Sequence, residues 1–389
     1  MSAERFKLAL FSADDSAQLL STVESKSEGS YLSYNEHDPY RAFMVYSGEE
    51  DRKLQTSSAA LGTLAKNNGK LLHGKNVFLF PGNGIHQKQM LTILSGVSEF
   101  LASELKKLEK AAEEFYPVRL LDEQTEDAVI DQLRVFASEV VLADLWIKSG
   151  CVPDYLIGYS MGEYAAAVCS GLMSASDAMY LLVQRAGIMH EDEPHWIAAV
   201  ETDADTIIGI AEKNGLEIEI SGYNAEDLVT VCGISKDISA LNEICKSMRI
   251  RLSIINQTHG GHYSGLKDCA ERFTDIAKKV TFRTPHRKML STVSSGDLTP
   301  EQPAYWGAHI VRPVLFRQAV GALPRDEISR VIDIGVSPVL ISMAMKNLGN
   351  IGAAWIPTIR SGRNYRKQIL TAAGNAFLSG VNIKTDFLI

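Results

Sequence analysis

The sequence lacks several features that would assign it to a membrane, secreted or nucleic-acid-binding class. No apolar run approaches the roughly 20 residues that a membrane-spanning helix needs, and residues 1–7 contain no apolar signal core. The formal net charge is −8, which argues against a broad nucleic-acid-binding surface. These absences predict a cytoplasmic protein that binds neither membranes nor nucleic acid.

Cysteine is also scarce, with five residues in 389 and no C-x-x-C pair. An odd number of scattered cysteines in a cytoplasmic type of sequence predicts buried free thiols, and it disfavours disulfides or a metal site. The five are Cys151, Cys169, Cys232, Cys245 and Cys269.

The strongest chemical pattern surrounds Ser160. Residues 155–157 predict a buried strand, residues 158–162 read Gly-x-Ser-x-Gly, and an alanine-rich helix follows. This order is typical of a nucleophile elbow, a turn too tight for side chains at Gly158 and Gly162. Such a turn lifts the serine hydroxyl onto the positive end of the next helix. A chance loop is the alternative, and the strand-turn-helix context disfavours it.

The alternation of strand and helix patterns predicts an α/β fold with several units. An α/β-hydrolase-like core comprises residues 76–194 and 259–356. Residues 195–258 interrupt it with the order β-α-β-β-α-β, the ferredoxin-like plan. A small α/β unit precedes the core at 1–75, and a terminal segment follows at 357–389. We also expect helices over 49–66 and 88–116.

Three further places could carry chemistry. The glycine-rich turn at 81–84 could present backbone N–H groups to a ligand, or it could simply end a strand. His259 and His262 stand among glycines, which is not a core pattern, and no nearby carboxylate or third histidine completes a metal site. Arg185 lies on a predicted helix over 175–191, where it is either a surface residue or, given its apolar neighbours, directed into a cleft.

Taken together, these motifs resemble the malonyl-CoA:acyl-carrier-protein acyltransferases, in the form found in polyketide synthases. The landmarks follow the family's order. They are residues 78–84 (similar to F-x-F-P-G-Q-G), 158–163 (G-H-S-x-G-E), 185–189 (R-G-x-x-M), 259–266 (H-A-F-H-S-P-x-M), 306–316 (W-x(6)-P-V-x-F) and 333–340 (E-I-G-P-x-x-V-L).

The flanks resemble the same proteins. Residues 1–74 are similar to the linker between ketosynthase and acyltransferase, and residues 357–381 are similar to the linker that follows the acyltransferase. No ketosynthase or carrier pattern is present, so the resemblance implies a freestanding acyltransferase that works in trans.

The resemblance implies a ping-pong mechanism with no bound cofactor and no metal. Ser160 would take an acyl group from acyl-CoA or an acyl-carrier donor, and the phosphopantetheine thiol of an acyl carrier protein would accept it. His262 would be the base, and the backbone carbonyl of His309 would orient it. The backbone N–H groups of Asn83 and Met161 would form the oxyanion hole. Arg185 would hold the free carboxylate of a malonyl-type substrate.

Three departures from the family pattern bear on substrate choice. Tyr159 replaces a histidine beside the nucleophile, where it could change how the malonyl group is contacted, and Asn83 replaces a glutamine. Gly260 and Gly261 replace two larger residues before the catalytic histidine. The missing side chain at Gly261 predicts room for an α-substituted malonyl unit. Plain malonyl is the alternative, and Met161 favours it because an apolar residue after the nucleophile resembles the malonyl pattern.

Two other functions stay open from the sequence. One is a hydrolase that clears stalled acyl chains, which Arg185 disfavours, and the other is a non-catalytic docking protein, which intact Ser160 and His262 disfavour. Carrier proteins of this kind are acidic, so basic residues are candidates for docking, although solvated charge is the simpler explanation for each. They form two groups, Arg360, Arg363, Arg366 and Lys367, and Arg283, Arg287 and Lys288.

Overall fold

Three β-sheets organise the part of the chain that the computed structural model describes. That part comprises residues 6–25, 32–57, 61–117, 119–122, 127–189, 194–257, 260–294 and 296–388. None of the helices in it is long and apolar enough to cross a lipid bilayer.

The central sheet has five strands, and each pairs in parallel with its neighbours. From one edge to the other they are Lys288–Met289, Tyr155–Gly158, Lys75–Phe80, Ile328–Asp333 and Ala354–Pro357. The first strand of this sheet in the sequence, Lys75–Phe80, is its middle strand. The next two strands lie on one side of it and the last two on the other, so the strand order reverses beside Lys75–Phe80. Ligands of open α/β sheets bind at the carboxyl ends of the strands near such a reversal.

Helices cover both faces of this sheet, as a parallel sheet requires. They are Met90–Ser95, Glu99–Ala112, Ala128–Lys148, Gly162–Ser170, Ala175–Met189, Lys267–Ala277, Pro303–Val311, Phe316–Gly321 and Val339–Leu348. The prediction of one helix over 88–116 is wrong, because the chain breaks between two helices. Ser98 caps the second one by accepting a hydrogen bond from the Leu101 N–H.

The inserted subdomain forms a separate antiparallel sheet, in which the four strands are arranged in the order fourth, first, third, second. Its strands are His195–Val200, Ile218–Ala225, Leu228–Ile234 and Leu252–Asn256, and its helices are Ala204–Lys213 and Ser235–Ser247. The ferredoxin-like prediction is confirmed. Val314 of the core joins this small sheet, since its N–H donates to Ser221 O (2.9 Å) and its carbonyl accepts from Tyr223 (2.8 Å).

The N-terminal unit is a third, four-stranded sheet. Its strands are Lys7–Ala13, Leu32–Ser33, Tyr40–Tyr46 and Ala65–Lys66, and its helices are Ser16–Ser25 and Glu49–Thr56. The predicted helix over 49–66 is therefore wrong beyond Thr56. Ser57 turns to an extended conformation there, and Ala65–Lys66 pairs with the edge of the sheet instead, where its backbone groups find strand partners.

This N-terminal sheet packs on the core and on the end of the chain. Phe6, Leu8 and Phe43 belong to the same hydrophobic cluster as the helices of the central sheet. The last helix, Tyr365–Leu378, approaches Phe43 so closely that a Cβ on Gly374 would lie 2.3 Å from its ring. The segments predicted as separate units at 1–75 and 357–389 thus share one core, while their identity as linkers stays a prediction.

The five cysteines are buried and free of disulfides, as predicted. Burial raises the pKa of Cys151, Cys169 and Cys232 to about 12. These thiols therefore stay protonated at neutral pH and are poor nucleophiles.

Candidate active site

Ser160 stands on a sharp turn between the strand Tyr155–Gly158 and the helix Gly162–Ser170. Its backbone has a positive φ of 50°, which is uncommon for a residue with a side chain. A Cβ on Gly162 would lie 2.0 Å from Phe80 O, and one on Gly158 would lie 2.3 Å from Glu163 N. The close approach of these backbones explains both predicted glycines and confirms the elbow geometry.

The loop before Lys267–Ala277 brings His262 to the serine. Ser160 Oγ lies 2.7 Å from His262 Nε2, although the two residues are 102 positions apart. His262 Nδ1 lies 2.9 Å from Arg312 O. Because a carbonyl oxygen can only accept, Nδ1 carries the proton and Nε2 is free to take the proton of the serine. The arrangement can act as a nucleophile and its base.

The prediction that the His309 carbonyl orients His262 is wrong, because the carbonyl that faces the imidazole belongs to Arg312. His309 lies in the last turn of the helix Pro303–Val311, so its carbonyl points along the helix axis. Arg312 leaves the helix with an extended backbone (ψ 147°), which turns its carbonyl towards the imidazole.

His309 acts through its side chain instead. Its Nε2 lies 2.9 Å from Ser160 O and therefore donates to it. The ring is fully buried, and its Nδ1 has no partner in the described part of the chain. The sequence did not predict this contact, because the position of a histidine on an apolar helix does not indicate which group its ring contacts.

Both imidazoles are held in the neutral form. Burial, with a smaller contribution from the Arg185 guanidinium, lowers the pKa of His262 to about 4. Burial also lowers the pKa of His309 well below its ordinary value, and His262 and Arg185 add to this effect. At neutral pH, His262 is therefore able to accept a proton.

Two backbone N–H groups near Ser160 are unused. The helix Gly162–Ser170 begins just after Met161, and Asn83 follows the strand Lys75–Phe80. Within the described residues, neither the Met161 N–H nor the Asn83 N–H has an acceptor. The Asn83 side chain folds back and accepts from the Gly84 N–H (2.9 Å). Such free donors can stabilise a negatively charged oxygen.

Arg185 lies on the helix Ala175–Met189 and is 6% exposed. Its Nε has no hydrogen-bond partner, and no carboxylate forms an ion pair with it among the described residues. A Cβ on Gly261 would lie 3.3 Å from its Nη2, so the guanidinium borders the loop that carries His262. A buried cation without a counter-charge is costly, so this position can accept an anionic ligand.

Tyr159 is directed towards the small subdomain. Its hydroxyl lies 3.5 Å from Thr230 Oγ1, and its ring lies beside Phe316, with the centroids 5.8 Å apart. A Cβ on Gly222 would come within 3.0 Å of the hydroxyl, so glycine there makes space for the tyrosine. The prediction that Tyr159 contacts substrate stays a prediction.

A buried carboxyl behind the elbow, Glu163, was not predicted to have a role. It accepts from the Thr292 N–H (2.6 Å) and the Tyr305 hydroxyl (2.5 Å). Burial raises its pKa to about 7. These bonds tie the first turn of the helix after Ser160 to the loop at Thr292 and to the helix Pro303–Val311, and the sequence signal for this position was the glutamate that ends the motif at 158–163.

Two of the predicted docking residues have internal roles. Arg366 donates to the backbone carbonyls of Phe6 and Val97, and Arg287 donates to Cys169 O (2.6 Å). The other candidates, Arg283, Lys288, Arg360, Arg363 and Lys367, are exposed. His259, the other member of the predicted histidine pair, lies outside the described residues.

Comparisons with solved structures show the fold. The acyltransferase domain from module 8 of the salinomycin polyketide synthase superposes with a TM-score of 0.85 at 21% identity, covering 98% of each chain. The malonyl-CoA:acyl carrier protein transacylase of Xanthomonas oryzae gives a TM-score of 0.65 at 19% identity, over 75% of this chain and 96% of that one.

Curated proteins with similar sequences are much longer. The spectinabilin polyketide synthase system protein NorB of Streptomyces orinoci is 28% identical over 87% of this chain and 17% of its own length. The non-reducing polyketide synthase ntnG of Nectria sp is 25% identical over 79% of this chain and 16% of its own. The chain thus spans about a sixth of the length of these relatives. Residues 77–383 match the acyl transferase domain family, and because this is well over half of the sequence, the chain belongs to that family.

Proposed function

We propose that this acyltransferase moves a malonyl-type acyl group from a CoA or carrier thioester to the phosphopantetheine thiol of an acyl carrier protein. The observation that carries the proposal is the buried guanidinium of Arg185, which has no counter-charge among the described residues, next to the loop of the Ser160–His262 pair. This combines a nucleophile with a place for a substrate carboxylate.

The first half of the reaction loads the enzyme. His262 Nε2 takes the Ser160 proton while Oγ attacks the thioester carbonyl, and the N–H groups of Asn83 and Met161 stabilise the resulting oxyanion. When the oxyanion collapses, the carbon–sulfur bond breaks, and His262 returns the proton to the leaving thiolate. The acyl group then rests on Ser160 as an oxygen ester.

The second half repeats these steps in reverse. The carrier's thiol gives its proton to His262 and attacks the ester, and the serine oxygen leaves and takes the proton back. The new thioester on the carrier replaces the thioester that was broken in the first half. The carbonyl of Arg312 keeps the imidazole in the required tautomer throughout, because it accepts from Nδ1.

Arg185 selects the acyl group in this proposal. A guanidinium can hold a carboxylate through two parallel hydrogen bonds, and the distal carboxylate of a malonyl unit would supply the missing counter-charge. Gly261 borders this place, but a Cβ there would already lie 3.3 Å from Arg185 Nη2 and 3.4 Å from Met189 Cε. This spacing favours plain malonyl or a unit with a small α-substituent.

The relatives support the choice of substrate and partner. One similar structure is named as a malonyl-CoA:acyl carrier protein transacylase, and the similar curated proteins are polyketide synthases. We therefore propose a carrier protein of polyketide biosynthesis as the acceptor. That the chain works in trans, and that its flanks act as linkers, are further predictions from the resemblance.

Removal of the Arg185 charge tests the proposal. We expect Arg185→Ala to lower the malonyl over acetyl preference in Ser160 acylation by about 100-fold, since a charged hydrogen-bonded pair contributes roughly 1.5–3 kcal/mol. Intact-mass analysis after exposure to malonyl-, methylmalonyl- and acetyl-CoA measures this preference. The same analysis shows whether an α-methyl substituent is accepted. Arg283→Ala, which removes an exposed arginine, is the matched control.

Two outcomes would favour the rival functions. A hydrolase of monocarboxylic chains would keep its activity in Arg185→Ala and would release free acid faster than it loads a carrier. If the protein were a non-catalytic docking protein, the wild-type form would gain no acyl mass. Wild type and Ser160→Ala would then give the same result in this assay.

A further inference from the structure

A buried carboxyl stands behind the loop that carries Asn83. Glu139 lies on the helix Ala128–Lys148 and is fully buried. Its Oε1 accepts a hydrogen bond of 2.6 Å from the Gly82 N–H, 57 positions away in the sequence. We propose that Glu139 is a positioning residue that holds the Gly82–Asn83 segment so that the Asn83 N–H faces the oxyanion. This inference rests on the proposed function.

The loop needs such a support because little else fixes its direction. Gly82 and Gly84 both have positive φ, at 69° and 93°, and glycine has no strong preference for such a conformation over others. Asn83 and Gly84 are exposed to solvent. On the side of the elbow, a Cβ on Gly82 would lie 2.4 Å from Gly162 N. The segment therefore lies between the elbow and Glu139.

The position of Asn83 follows from that of Gly82. Loss of the bond to Glu139 would leave Gly82 free to change its φ and ψ, and rotation about these dihedrals changes the direction in which the Asn83 N–H points. An oxyanion donor is effective only when it is already aimed at the developing charge before the reaction starts. A single buried acceptor on the preceding N–H provides this alignment.

The Glu139 carboxyl has no competing structural partner. Its Oε2 has no hydrogen bond in the described part of the chain, and no lysine, arginine or histidine there forms an ion pair with it. A buried carboxyl with one partner costs more than an apolar side chain of similar size. Its presence at a fully buried position of this helix therefore indicates a role other than stability.

The charge state of Glu139 suits this role. Burial, with a contribution from the nearby Asp333 carboxyl, raises the pKa of Glu139 well above its ordinary value. Burial thus favours the protonated form of this acid, in which Oε1 can still accept from Gly82. A neutral acceptor aligns the loop without placing a negative charge behind the donor, where it would oppose the oxyanion.

Glu139→Gln and Glu139→Met test the inference. Glutamine keeps an oxygen acceptor of the same shape, so we expect its Ser160 acylation rate to stay within about 3-fold of wild type. Methionine removes the acceptor, and we expect the maximal rate to fall about 10- to 100-fold, since loss of a whole oxyanion donor costs about 10²–10³. Donor affinity and the melting temperature should not fall, which separates alignment from a structural role.

Ser138→Ala is the matched control, since Ser138 is buried on the same helix and its Oγ donates to Val135 O within that helix. It should acylate at the wild-type rate. If Glu139→Met does not fold, Glu139→Asp retracts the carboxyl by one methylene and should show the same loss of rate.

Wild-type rates in the folded Met or Asp variant would overturn the role of Glu139 while leaving the proposed function intact. Absence of acyl transfer to Ser160 in the wild-type protein would overturn the proposed function itself.

Discussion

The two residues of the candidate dyad share an unusual backbone conformation. Ser160 has φ 50° and His262 has φ 67°, and each such conformation costs on the order of 1–3 kcal/mol for a residue with a side chain. Their surroundings hold them in place. The backbones of Phe80 and Glu163 crowd the serine turn, and the His262 N–H donates to Ile310 O (2.7 Å). Strain of this kind is typical of functional sites.

Acylation of Ser160 should persist to a lower pH than an ordinary histidine base would allow. Because the pKa of His262 is lowered to about 4, its neutral form is lost only as the pH falls through that value. We expect acylation at limiting donor concentration to stay level from pH 8 to about pH 5 and to decline below that. Rapid-quench mass analysis across this range measures it.

An acidic limb near pH 6.5, the ordinary histidine value, would contradict this expectation. The Arg185 charge contributes to the lowered pKa of His262. In Arg185→Gln, assayed with a monocarboxylic donor, the limb should therefore move to higher pH.

At the scale of elements, the site depends on backbones that approach more closely than side chains permit. The strand Lys75–Phe80 and the elbow strand end side by side, and the loop and helix that follow them touch through Gly82 and Gly162. The motif Gly-x-Ser-x-Gly predicted the close backbone contacts at Gly158 and Gly162 from the sequence. The contact at Gly82 could not be predicted in the same way, because a glycine-rich turn after a strand occurs in many structural contexts.

Gly162→Ala should destabilise the protein by about 3 kcal/mol or more, since the new Cβ would lie 2.0 Å from Phe80 O and only a shift of the backbone can relieve that contact. Gly209→Ala is the matched control, on the helix Ala204–Lys213 with no atom within 4 Å of its Cβ. The free energy of unfolding of Gly209→Ala should rise by up to about 1 kcal/mol. Urea unfolding compares the two, and equal stabilities would contradict the expected crowding.

At the scale of the whole molecule, the N-terminal sheet is tied to the C-terminal segment of the chain. Arg41 on the N-terminal sheet is fully buried. Its guanidinium donates to Phe377 O (3.2 Å), Val381 O (3.1 Å) and Asn382 Oδ1 (2.9 Å). These hydrogen bonds therefore join the two flanking segments, which also share the main hydrophobic core.

Arg41→Met should destabilise the protein by about 3 kcal/mol, because it leaves several buried carbonyl oxygens without a donor. The Ser160 acylation rate per folded molecule should not change. Thermal unfolding and intact-mass labelling measure the two effects. Arg363→Met, at an exposed position, should change stability by less than about 0.5 kcal/mol, and a comparable loss there would contradict the role given to Arg41.

The sequence by itself determined many of the elements and the candidate nucleophile. Apolar periodicity and glycine positions are local signals, so the alternation of strands and helices, the inserted β-α-β-β-α-β unit and the turn at Ser160 could be predicted from short stretches. Two helix boundaries were predicted wrongly. The end at Thr56 depends on strand pairing at the sheet edge, and the start after Ser98 depends on a capping hydrogen bond; helix propensity alone does not decide either boundary.

Only the tertiary structure decided which groups meet across the chain. The carbonyl that faces His262 belongs to Arg312 and not to His309, and Glu139 reaches Gly82 from a distant helix. Such contacts depend on the direction in which each carbonyl, ring and carboxyl points once the elements pack. Side-chain and backbone directions are set by the packed fold, and spacing along a sequence does not encode them.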